Sequence, residues 1–124
     1  MNIEYIKTAT RDGFTNWRDF STRTNRKDFI TFVLVLQIGF IALSLIEMLL
    51  TYSGIYLFGL PSLILFFATL PHCFSISARR LHDTGRSGWW QLLYLLPLVG
   101  LLCLSVLLIL KGDENKNQYG DPSL

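Results

Sequence analysis

The stretch Ala78-Arg79-Arg80-Leu81-His82-Asp83-Thr84-Gly85-Arg86-Ser87-Gly88-Trp89-Trp90 lies between two long apolar runs and decides how the chain is threaded. Three arginines, a histidine and an aspartate are costly in hydrocarbon, so this segment belongs at a membrane surface or in a polar pocket. Outward from it, residues 29–110 carry no charge besides the turn's own and Glu47. Of the 124 residues, 51% are hydrophobic and 16% charged. Soluble domains carry about a quarter charged residues, so the deficit and its position predict a membrane protein.

Before the turn, residues 29–50 are long enough to cross a bilayer, which takes roughly 20 residues. Asn25 and Asp28 predict the start of that helix, one as a cap and the other as a carboxylate near the positive end of the dipole. Thr51-Tyr52-Ser53-Gly54 predicts an uncharged turn. A second run, 55–78, contains Gly59, Pro61, Pro71 and His72, and its prolines predict a bend. After the arginines, Ser87 is a helix cap and 88–110 forms a third run. The expected fold is therefore an all-α membrane protein. Three transmembrane helices fill 29–110, an amphipathic cytoplasmic head covers 1–28, and a polar tail without a fixed fold covers 111–124. Pro97-Leu98-Val99-Gly100 keeps a second topology open, in which the third run is a re-entrant hairpin and the tail returns. A backbone break in lipid needs protein partners for its polar groups, so a kinked but continuous span is the primary expectation.

The head reads as retained, because the first apolar run begins only at Phe29 and no A-x-A site follows. Phe14, Trp17, Phe20 and Tyr5, beside Arg18 and Arg23, form an aromatic stripe suited to the lipid interface or to the protein's own helices. Six Lys and Arg lie in the head and three in the turn, whereas the first connection has none. The positive-inside rule then puts head and turn in the cytoplasm and, with three spans, the tail outside.

These residues resemble a known family. Residues 79–90 followed by Pro97-Leu98-Val99-Gly100 are similar to the signature of the small bacterial inner-membrane proteins catalogued as domain of unknown function 805, the YhaH-like family. Phe20-Ser21-Thr22-Arg23-Thr24-Asn25-Arg26-Lys27-Asp28-Phe29 resembles that family's F-S-G-R-x-x-R-x-x-F opening. Asn117-Gln118-Tyr119-Gly120-Asp121-Pro122 resembles its N-x-Y-G-x-D-P tail. Thr22 stands where the family usually has glycine, and Ile30 where it often has tryptophan. The resemblance implies a multi-pass protein of the bacterial inner (plasma) membrane and brings no activity with it.

The turn offers two readings. If the second helix runs past Ala78, then Arg79, His82 or Asp83, and Arg86 fall near one face. Gly85 can then end the helix in a left-handed conformation. Arg79, Arg80, Arg86, Arg23 and Arg26 would form a guanidinium cluster suited to an anion, of which a lipid headgroup is the nearest. In the other reading Asp83 and Asp28 pair with these arginines and, with His82 and Gly85, hold the helix ends. Within the apolar runs Gln37, Glu47 and His72 are the polar candidates. Gln37 and His72 sit at similar depths, which predicts a hydrogen bond between the first two spans, and Glu47 reaches the outer interface.

No catalytic residues are expected. His82 and Asp83 are adjacent, so on a helix their side chains diverge by about 100°. Cys73 and Cys103 lie in apolar runs and read as small hydrophobes. The residues call for no metal, no cofactor and no nucleic acid. The expected function is a binding or assembly component whose basic cytoplasmic face engages anionic lipid headgroups or a membrane-protein partner, a second copy included. The alternative is a small oligomeric transporter or channel-like protein using the intramembrane polar residues.

Overall fold

The computed structural model describes residues 2–122. Met1, Ser123 and Leu124, at the ends of the expected head and tail, lie outside the described residues. The head begins with helix α1, Ile3–Thr15. Asn2 caps it, its side chain accepting from the Glu4 amide. Ala9 and Gly13, four apart, are the buried positions of α1. Gly13 is required by proximity, because a Cβ there would lie 2.2 Å from the Phe32 ring.

Helix α2 spans Arg26–Tyr52. Its start is the expected one: the Asn25 side chain accepts from the Asp28 amide at 2.8 Å and donates to the Asp28 carboxylate at 2.9 Å. Its 27 residues extend about 40 Å at 1.5 Å rise. Helix α3 spans Leu60–Asp83, so residues 55–58 of the expected second run are not helical. Gly59 precedes it at φ 71°. The Glu47 carboxylate reaches across this connection and accepts from the Ser62 amide at 2.9 Å and its hydroxyl at 2.8 Å. Ser62 is in the first turn of α3, where amides lack helical acceptors, and such a cap contributes about 0.5–2 kcal/mol.

Among the described residues, α2 and α3 are the two helices long and apolar enough to cross a membrane. Ile38, Ile41, Leu45 and Met48 of α2, with Leu63, Ile64 and Phe67 of α3, are exposed. Water does not tolerate an apolar surface of that extent on a monomeric protein.

The expected third span is not found. Residues 88–110 divide into a 3-10 segment, Gly88–Leu95, and helix α4, Val99–Ile109. Eleven residues of α-helix extend about 17 Å, roughly half the hydrocarbon thickness. The break falls at Pro97-Leu98, with Leu98 at φ 61°. Past it the chain doubles back closely: a Cβ on Gly100 would lie 1.9 Å from the Leu93 carbonyl oxygen. The run leaves α3 at Ser87 and returns at Leu108, whose carbonyl accepts from Arg80 Nε at 2.9 Å. Both ends of the hairpin thus lie at one end of α3, and the tail is not at the opposite end of the bundle.

The core sits at that same end. Phe29, Phe32, Ile76, Leu81, Leu104 and Leu108 form it. The aromatic stripe of the head makes contacts with the protein's own helices while staying partly exposed: Phe14 meets Phe32 at 5.2 Å and His72 at 5.0 Å, and Trp17 meets His72 at 5.9 Å. Phe20 remains half exposed. This contact changes the expected Gln37–His72 pair. His72 faces α1, with Nδ1 3.1 Å from the Ala68 carbonyl, while Gln37 is exposed on α2.

Candidate functional site

The last turn of α3 carries Arg79, Arg80, His82 and Asp83, all buried. The helix ends as the sequence predicts. Gly85 takes φ 70°, its amide donates to the His82 carbonyl at 3.0 Å, and the Arg86 amide donates to the Leu81 carbonyl at 2.9 Å. This pair of bonds is the Schellman arrangement. Ser87 then caps the 3-10 segment, accepting from the Trp89 amide at 3.3 Å.

Arg80 is fully buried, and its three donor positions are occupied. Nε donates to the Leu108 carbonyl, Nη2 to the Leu110 carbonyl, and Nη1 to the Asp83 carboxylate. Leu108 lies in the last turn of α4 and Leu110 is its C-cap, where carbonyls lack helical donors, so Arg80 caps the hairpin's returning helix. The other Asp83 oxygen accepts from Arg23 Nε at 3.0 Å. Arg23 in turn gathers the tail: Nη1 donates to the carbonyls of Asn115 and Gly120 at 3.1 and 3.0 Å, and Nη2 to that of Asp113 at 2.6 Å. Burying two guanidinium groups is tolerable because one carboxylate and a ring of carbonyl dipoles surround them.

The tail is therefore folded, contrary to its polar composition. The Asp113 amide donates to the Asp83 carbonyl at 2.7 Å. Asn117 Nδ2 donates to the His82 carbonyl at 2.9 Å, and Tyr119 stacks on the His82 ring at 3.8 Å. His82 Nδ1 faces the Thr22 carbonyl at 3.3 Å, and since a carbonyl only accepts, Nδ1 carries the hydrogen. Asp19 orders the same segment of the head, accepting from the amides of Ser21 and Thr22 at 2.9 and 3.2 Å. Burial pushes its carboxyl up, but the bonds from Thr22 and Ser21 outweigh this and hold it at about 2.

The remaining expected residues scatter around this knot. Arg79 Nη1 pairs with Asp12 of α1 at 2.9 Å, and Arg86 Nη1 donates to the Thr84 carbonyl at 3.3 Å. Among the described residues Asp28 pairs with no arginine; it accepts from the Tyr5 hydroxyl at 2.5 Å and from Asn25. Burial first, then this carboxylate, raises the Tyr5 phenol to about 12, so it is a donor at neutral pH. Arg26 is exposed at the start of α2, beside Lys27. The five arginines therefore do not share one open face: Arg23, Arg79 and Arg80 point inward and Arg26 points out. Asp12, Gly112, Asp113 and Tyr119 were not singled out from the sequence as site residues. Only the N-x-Y-G resemblance hinted that the tail has a place in the fold.

Two long apolar helices, tied at one end by a buried guanidinium, carboxylate and carbonyl network, define a small all-helical protein of the membrane-spanning class. The chain belongs to the family described as protein of unknown function (DUF805), which matches residues 17–121. It is 35% identical over 106 residues to "Inner membrane protein YhaI" of Escherichia coli (strain K12), covering 86% of each chain. It is 34% identical over 110 residues to "Inner membrane protein YhaH" of that strain, covering 88% of this chain and 91% of the relative. No solved structure matches it.

Proposed function

We infer that the chain is a non-catalytic binding component of the bacterial inner membrane, with its head, arginine knot and tail in the cytoplasm and its basic end engaging anionic lipid headgroups. The names of its relatives support the location, and the Lys and Arg of the head and turn support the orientation. α2 and α3 cross the bilayer, and the 3-10 segment with α4 enters and leaves on the cytoplasmic side. One observation carries the binding reading. Arg26 and Lys27 stand exposed at the membrane-facing end of α2, while Arg23 and Arg80 are occupied by Asp83 and backbone carbonyls. No observation favours the channel-like alternative, since Glu47 is engaged by Ser62 and His72 packs under Phe14 and Trp17.

The threading is tested by labelling in intact cells, with Cys73 and Cys103 first changed to Ser. Ser53→Cys should react with an impermeant thiol reagent and Lys116→Cys should not. Labelling at Lys116→Cys equal to that at Ser53→Cys would overturn the topology. The binding reading is tested by the Arg26→Gln, Lys27→Gln double variant. A basic residue near an anionic surface contributes about 1 kcal/mol, or roughly fivefold in lipid partition for each charge removed. Co-purified anionic lipid should fall accordingly while membrane insertion is unchanged; equal lipid content in both proteins would sink the reading.

A further inference from the structure

Beside Arg26 and Lys27 opens a groove of about 600 Å³ whose two ends differ in character. The cations line one end, and Ile30, Leu34 and Ile109 continue it along α2 and against the end of α4. Tyr5 forms its third side, with its hydroxyl turned to Asp28. That bond, with those between Asn25 and Asp28, occupies the Asp28 carboxylate. Asp113 and Glu114, which line the adjoining cleft, are likewise engaged, by Asn117 and Lys111.

We propose that one anionic phospholipid is seated in this groove, its phosphate on Arg26 and Lys27 and its upper acyl chain along Ile30, Leu34 and Ile109. The proposal rests on the reading that the basic end engages anionic headgroups, and narrows it from a charged surface to a single shaped site. Three features select the occupant. Among the described residues Arg26 and Lys27 have no carboxylate partner, which favours a ligand with net negative charge; a zwitterionic headgroup adds its own ammonium beside the guanidinium. Leu34 lies eight residues beyond Arg26, about 12 Å deeper at 1.5 Å rise, so the apolar wall descends from headgroup level into the hydrocarbon. The volume takes a glycerophosphate and the first methylenes of a chain, and the rest of the lipid stays in the bilayer. A free phosphate would use only the upper end.

The test counts lipids retained by the full chain in native mass spectrometry, after mixing in detergent with phosphatidylglycerol or phosphatidylcholine. The natural sequence should hold one phosphatidylglycerol in clear excess over phosphatidylcholine. Leu34→Trp fills the groove and keeps both charges; because Leu34 is half exposed, it does not overpack the core. It should lower the one-lipid species about tenfold, and Ile109→Trp on the opposite wall should do the same. If the tryptophan variants retain lipid like the natural protein while the Arg26→Gln, Lys27→Gln variant loses it, the seat is wrong and the charged surface stands. Full retention by all the variants would remove both readings. Displacement by equimolar inorganic phosphate would also overturn the seated lipid, because the apolar wall would then add nothing.

Discussion

Asp83→Ala should lower stability by about 3–5 kcal/mol, because it leaves buried guanidinium charge without a counter-ion. Two such groups are involved. Arg80 donates to one Asp83 oxygen and Arg23 lies 2.9 Å from the other, with both guanidinium side chains almost wholly buried. Neither can turn to solvent without releasing the Leu108 and Gly120 carbonyls it also holds. The variant should melt at a markedly lower temperature in detergent, followed by tryptophan fluorescence, and trypsin should cut readily at Lys116. Asp83→Asn, which keeps an acceptor but not the charge, should fall between the two. A melting temperature and cleavage rate equal to those of the natural sequence would mean that the network holds nothing together.

Gly112→Ala should undock the tail from the knot. An added Cβ would stand 1.9 Å from Asp83 Oδ2 and 2.7 Å from its Cγ, with Arg80 Nη1 at 3.2 Å. Asp83 is gripped from two sides, so it cannot step aside, and the backbone at 112 must move instead. Overpacking of this kind costs about 1–3 kcal/mol, and here the displaced backbone also carries the Asp113 bonds. Hydrogen exchange should report it, with amide protection lost at Asp113, Asn117 and Gly120. Gly39→Ala is the matched control, since nothing lies within 4 Å of a Cβ there. Equal protection in both variants would refute the close approach.

Local chemistry was readable from the sequence. The Asn25 and Asp28 helix start, the left-handed stop at Gly85 and the Ser87 cap each depend on a few neighbouring residues, and each formed as read. The third run is broken where a continuous helix was the primary expectation, because a hairpin and a continuous helix have the same apolar composition. What separates them is the positive φ at Leu98 and the approach of Gly100 to Leu93, which hydropathy does not encode. The tail was misread for a different reason. Arg23 binds it mainly through backbone carbonyls, and every residue has one, so no side-chain pattern marks the contact. The Gln37–His72 pairing matched depth but had no information on rotation, and α1 supplied the neighbour that His72 meets. Of the five arginines only Arg23 and Arg80 meet, at Asp83, and charge counting along the chain carries no information on which guanidinium groups turn inward.

The knot also imposes an order in time. Gly120 follows Arg23 by 97 residues, which at about 5–20 residues per second takes roughly 5–20 seconds to synthesise. Throughout that interval Arg23 lacks carbonyl partners that do not yet exist, and Arg80 waits for Leu108. The two long helices can form as each is synthesised, but the knotted end cannot close until nearly the whole chain has been translated. A message cut short before residue 113 would leave the Arg23 guanidinium beside Asp83 without any of the tail carbonyls it otherwise holds.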